Sequence, residues 1–210
     1  MKQSLSPRRP QPRSRLCKAA QGLLPLAVFA VILLTARASV ADHYRVPSGS
    51  MLPTVEIGDR VLVDKSAYGI RLPLTSRYLA EFSGPRRGDV VVLESPEDRE
   101  ILLKRVVAVP GDLVEVRAGL IRLNGAPVRV TTGPDGPLEH LGHRAHRIRL
   151  IGHPGPALGP LRIPPGRYLV LGDNRGDSHD GRYFGLVPRE AIHGRALRVY
   201  YRRGFTWRKL

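Results

Sequence analysis

The chain has 210 residues and a formal net charge of +16, with 22 glycines, 19 prolines and a single cysteine. The lone Cys17 excludes an internal disulfide, and the length suits one domain with room for a small insertion. Glycine and proline exceed their average usage of roughly 7% and 5%, which points to a turn-rich, mostly β protein.

The positive charge starts at the N-terminus. Residues 1–18 carry Lys2, Arg8, Arg9, Arg13, Arg15 and Lys18, and no acidic residue precedes Asp42. This reads as a basic arm rather than a nucleic-acid surface. Residues 19–36 are uncharged and, as a helix at 1.5 Å per residue, span roughly 27 Å, close to the ~30 Å hydrocarbon core. The segment 19–41 is therefore expected to be a single transmembrane anchor. Basic flanks stay on the cytoplasmic side, so the arm should face in and residues 42–210 should form an extracytoplasmic, periplasmic domain. The competing reading is a cleaved signal peptide, because Ser39-Val40-Ala41 has a small-x-small pattern.

Short β-branched runs follow. Arg60-Val61-Leu62-Val63 and Asp89-Val90-Val91-Val92-Leu93 are bounded by Gly-Asp turns, and 101–109 is a longer run. Residues 112–116 follow the turn signal Pro110-Gly111. Asn124-Gly125, between 120–123 and 127–130, predicts a type I′ hairpin. Later strands are expected over 167–171 and 197–201. Residues 131–165 are rich in Gly, Pro, His and Arg, and 125–165 read as a small variable subdomain or insertion.

Lysine is scarce, with 5 against 29 arginines. Lys104 is therefore notable in Leu102-Leu103-Lys104-Arg105-Val106-Val107. A buried lysine can lose its proton, whereas arginine cannot. To act as a base near neutrality its pKa must fall from about 10.4 to about 7–8, roughly 4 kcal/mol, which only a buried site supplies. A snorkelling or ion-paired strand lysine is the bland alternative.

Ser48-Gly49-Ser50-Met51-Leu52-Pro53-Thr54, with Pro47 before it, is held out of regular structure by its prolines. That suits a serine whose hydroxyl is presented to something else. With Lys104, Ser50 suggests a serine nucleophile with a lysine base.

Five blocks in order carry a family resemblance: Tyr44 to Val55, Gly58 to Lys65, Arg87 to Val92, Lys104 to Asp112, and Gly172 to Gly185. Together they resemble the bacterial type I signal peptidases, or leader peptidases. The resemblance implies a coiled, mostly antiparallel β catalytic domain with a small β subdomain. It also implies a membrane-anchored serine endopeptidase that cuts signal peptides from exported preproteins after a small-x-small motif. Ser50 would be the nucleophile and Lys104 its base. Ser48 would donate to the oxyanion and Ser178 would orient the lysine amine. Asp180 and Arg182 would form a supporting ion pair together with Arg105. Tyr44, Val46, Val55, Val61, Val92 and Leu103 would wall the pockets for small side chains. The implied partners are preprotein signal peptides and membrane lipid. No cofactor, metal or nucleic acid is called for.

Two positions depart from the family pattern: Ala108 stands where Gly is common, and Gly181 where Ser is common. A conjugation-type pilin-processing protease with the same dyad is the nearest alternative function. His140-x-x-His143-x-x-His146 has metal-like spacing, but Arg144, Arg147 and Arg149 would repel a cation. A solvated loop is expected there.

Overall fold

A computed structural model describes Pro25, Val28, Phe29 and residues 41–71, 78–142 and 144–210. The basic arm and nearly all of the expected anchor lie outside the described residues. No helix among the described residues is long and apolar enough to cross a membrane.

The strands are β1 (Ala41–Arg45), β2 (Arg60–Asp64), β3 (Gly69–Arg71), β4 (Tyr78–Glu81), β5 (Val90–Glu94), β6 (Ile101–Ala108), β7 (Leu113–Arg117), β8 (Leu120–Leu123) and β9 (Ala126–Pro127). They continue as β10 (Val130–Gly133), β11 (Gly136–Leu141), β12 (Arg144–Arg147), β13 (Leu158–Arg162), β14 (Arg167–Leu171), β15 (Val187–Pro188), β16 (Ile192–Tyr201) and β17 (Phe205–Lys209). The main sheet has eight strands in the order β1-β2-β16-β5-β6-β14-β15, with β17 paired to β16, and every pairing is antiparallel. The fold is thus mostly β and antiparallel, as the glycine and proline content implies.

Val90, Val91, Val92 and Leu93 are all buried, as are Lys104 to Ala108. These central strands are covered on both faces, so they read as continuous apolar runs rather than alternating ones. One face belongs to a cluster around Val46, Met51, Val55, Val61 and Val92. Another apolar cluster gathers Val107, Ala108, Leu169 and Leu171. Ala108 is fully buried there, so its extra methyl packs into the core.

The predicted hairpin at Asn124-Gly125 is present. Asn124 has φ 52° and Gly125 φ 85°, the double positive φ of a type I′ turn, and Leu123 pairs with Ala126. Segment 125–165 does not fold as one unit. β9 and β13 join β7 and β8 in a four-stranded sheet, while β10, β11 and β12 form a separate three-stranded one. The histidine-rich stretch is not a solvated loop throughout, because His146 lies on β12 and is 7% exposed. Its ring lies against the carboxylates of Glu139 and Asp173.

Candidate active site

Three chain segments converge at one end of the main sheet. The first is the loop between β1 and β2. Met51 and Val55 anchor it in the apolar core, and the Val55 amide donates to the Met51 carbonyl at 3.0 Å. Burying Met51 turns its neighbours outward: Ser48 is exposed and Ser50 only half-buried. Their hydroxyls lie 3.4 Å apart. This is the presentation that the flanking prolines suggest.

The second segment is β6, where Lys104 pairs with Val91 and is 3% exposed. Burial pulls its pKa from the usual lysine value down to about 8, with the nearby Asp180 opposing the fall and Arg182 assisting it. The cause is desolvation of the ammonium. A drop of that size is roughly 3 kcal/mol at 1.36 kcal/mol per unit. It leaves about a tenth of the amine neutral at pH 7 and about half at pH 8.

The third segment is the loop after β14. Its approach to the serine loop is direct: the Asn174 amide donates to Ser50 O at 3.0 Å, and Asn174 Nδ2 donates to Gly49 O at 3.0 Å. Gly172 sits in the seam. A Cβ there would lie 2.2 Å from Ser178 Oγ and 2.4 Å from Ser50 O, so only glycine lets these segments approach so closely. Ser178 Oγ is buried and has no hydrogen-bond partner among the described residues.

Two buried ion pairs frame this seam. Asp180 and Arg182 form a two-pronged pair, Nε to Oδ1 and Nη2 to Oδ2, both at 2.8 Å. Asp180 also accepts the Gly172 amide at 2.9 Å. The Arg182 guanidinium, with these hydrogen bonds, holds the Asp180 carboxyl below the usual carboxylate range against the opposing effect of burial. Arg105 does not join this pair. It makes its own fork to Asp173, at 2.8 and 2.7 Å, because it points across β6 from Lys104. Thr54 Oγ1 donates to Asp173 Oδ2 at 2.5 Å, tying the serine loop to this second pair.

Gly181, the departure from the family pattern, opens the helical turn Gly181–Phe184. A Cβ there would come within 2.7 Å of Leu169 Cδ1 and 2.8 Å of Val170 O. The turn is packed down onto β14, and the Asp180–Arg182 pair is complete without a hydroxyl at 181.

A groove of about 40 Å³ is lined by Tyr44, Val46, Pro47, Val61, Val92 and Leu103, among others. Five of these are among the six pocket residues expected from the sequence. Val55 is fully buried in the core behind them and is not in the lining. A larger cleft of about 630 Å³ touches Thr54 and Arg105 but none of Ser48, Ser50, Lys104 or Ser178. The small groove takes Val46 and Pro47 from the start of the serine loop, and it too is lined by none of those four residues.

In the sequence, Gly172, Asp173 and Asn174 belong to the Gly172 to Gly185 block that draws them towards the site, but no individual role follows from it for them or for Thr54. Asp173-Asn174 reads locally as a turn capping the preceding strand. The burial of both residues and their reach to Thr54 and Ser50, more than 110 positions away, gives them specific contacts in the site.

A half-buried serine, a desolvated lysine and a glycine seam thus lie on one mostly antiparallel β scaffold. The family model for signal peptidase, peptidase S26, matches residues 20–201, and the chain belongs to that family. Signal peptidase I of Pseudomonas aeruginosa is 37% identical over 193 residues, covering 80% of this chain and 68% of that protein. Signal peptidase I of Pseudomonas fluorescens is 35% identical over 192 residues, with the same coverage of 80% and 68%. That of Leptolyngbya laminosa is 32% identical, covering 84% and 77%. The crystal structure of a signal peptidase I from Enterococcus faecalis superposes with a TM-score of 0.38 at 26% identity, over 55% of this chain and 98% of that one.

Proposed function

We propose that this chain is a signal peptidase I, a serine endopeptidase that removes signal peptides from exported preproteins using Ser50 as nucleophile and Lys104 as general base. The observation that carries the reading is the buried lysine: an amine brought to a pKa of about 8 on the strand beside the loop that exposes Ser50. Neutral Lys104 takes the Ser50 proton as Oγ attacks the scissile carbonyl. The resulting ammonium returns a proton to the leaving amine, and water then hydrolyses the acyl-enzyme. Ser178, whose buried hydroxyl has no hydrogen-bond partner among the described residues, is assigned to orient the amine. Asp180, Arg182 and the Arg105–Asp173 pair hold the loop that carries Ser178.

Ser48 Oγ and the Ser50 backbone amide are assigned to the developing oxyanion. Ser48→Ala should lower kcat by about 10²–10³, with KM little changed, because this donor acts only on charge formed in the transition state. Steady-state kinetics on a fluorogenic peptide checks it, and an unchanged kcat would reduce Ser48 to a turn residue.

Substrate choice rests on the small groove beside β1. Its walls accept alanine-sized side chains and clash with larger ones. Cleavage of a purified preprotein in detergent should therefore fall by roughly 10²-fold when the residue before the scissile bond is changed from alanine to leucine. Equal cleavage of both would sink the specificity assignment. The pilin-processing alternative finds no support in the relatives named above.

The location is part of the proposal. Segment 19–41 would anchor the chain in the plasma membrane, with 1–18 cytoplasmic and 42–210 outside. Phe205 and Trp207, both exposed on β17, suit an aqueous–lipid interface next to such an anchor.

A further inference from the structure

The sheet β10–β12 meets the proposed catalytic loop through one carboxylate. Glu139, on β11, is fully buried. Its Oε1 accepts from Arg175 Nη1 at 2.9 Å and its Oε2 from Arg175 Nη2 at 2.6 Å. Arg175 is 1% exposed, and it uses its remaining donors on two other elements. Nη1 also reaches Gly119 O at 2.7 Å in the β7–β8 turn, and Nε reaches Gly172 O at 3.1 Å. Its own carbonyl accepts from Arg182 Nη1 at 2.9 Å. His146, from β12, closes the other side, with Nε2 3.2 Å from Glu139 Oε2 and 3.8 Å from Asp173 Oδ1.

One guanidinium thus ties the small sheet, the β7–β8 turn and the end of β14 together. The peptide it holds, Gly172, is the one wedged against Ser50 O and Ser178 Oγ. Its neighbour Asn174 donates to Ser50 O. A two-pronged pair out of water has a single geometry, and removing one partner leaves an uncompensated buried charge. The Arg147–Asp135 pair on the same sheet is exposed, where such pairs contribute little.

We propose that Glu139 is a positioning residue for the reaction: through Arg175 it sets where the 172–178 loop stands, and so where Ser50 and Ser178 stand. This makes the small sheet a brace of the active site rather than a decoration. The inference rests on the Ser50–Lys104 reading.

The test uses the full chain in detergent with a preprotein substrate, at a temperature well below the unfolding of every variant. Glu139→Gln should lower kcat by about 10- to 100-fold, the usual cost of displacing reacting groups by about an ångström, with KM within about twofold. Amide hydrogen exchange at Asn174 should accelerate by about tenfold or more, while amides in the β5–β6 pairing keep their wild-type rates. Asp135→Asn, on the same sheet, should change neither readout. A wild-type kcat for Glu139→Gln, or faster exchange spread equally over β5 and β6, overturns the proposal. The second result would mean a loss of global stability alone. If Glu139→Gln does not fold, the double variant Glu139→Leu/Arg175→Met removes both charges together. Wild-type kcat in that folded variant overturns the proposal equally. Ser50→Ala run in parallel separates the two ideas. If cleavage survives it, the nucleophile assignment is wrong, whereas the Asn174 exchange rate still reports on the brace.

Discussion

Lys104→Arg is expected to abolish preprotein cleavage, with kcat/KM down by roughly 10⁴-fold or more, and to be as inactive as Lys104→Ala. Arginine keeps the charge and most of the length, but it does not deprotonate in proteins and cannot accept the serine proton. The substitution therefore separates charge from basicity, which alanine alone does not. On the proposed mechanism the active species in the wild type is the neutral amine, whose pKa is lowered to about 8. Below that value each unit of falling pH removes about nine-tenths of the remaining free base, so kcat/KM should drop about tenfold per unit and level off above it. Initial rates from pH 6 to 9 check both parts. A flat profile, or measurable turnover by the arginine variant, would remove Lys104 from the role of base.

Ser50→Ala should be equally inactive in turnover but should still bind. The groove proposed to receive the substrate is lined by Tyr44, Val46, Val61, Val92 and Leu103, and none of these depends on the Ser50 hydroxyl. The loop backbone is held by contacts that the substitution leaves intact: Met51 stays in the core, and Ser50 O still accepts the Asn174 amide. Preprotein affinity measured by fluorescence anisotropy should thus stay within about threefold, while kcat falls by roughly 10⁴-fold or more. Loss of binding together with turnover would mean a collapsed loop rather than a missing nucleophile. Retained cleavage would mean that another residue attacks.

Much of the proposed site is readable before any coordinates. Ser50 is legible because its prolines and flanking Met51 make a non-regular, half-anchored loop. Lys104 is legible because arginine serves almost everywhere else for positive charge. The central strands were also readable, since β-branched runs such as 90–93 leave no other way to bury themselves. The pairing partners of the charged residues were not. Arg105 could be assigned to the Asp180–Arg182 group from its position in the resemblance, but it forks onto Asp173. Which carboxylate a buried guanidinium meets depends on how the strands cross, and no local pattern records that.

The amino-acid sequence by itself determined the class of scaffold, the irregular loop that carries Ser50, the apolar context of the lysine, the type I′ turn at Asn124-Gly125 and the family resemblance. Each of these follows from residues within a few positions of one another, where backbone preference and alternation act. Tertiary structure alone decided the rest. It brought Thr54 to Asp173 and Ser50 to Asn174, made glycine the only residue that fits at 172, and buried Glu139 and His146 from a segment that reads as polar and loop-like. Burial of Glu139 is possible because it meets the Arg175 guanidinium from a distant element and the two satisfy one another out of water, a condition met only once the sheets have packed together.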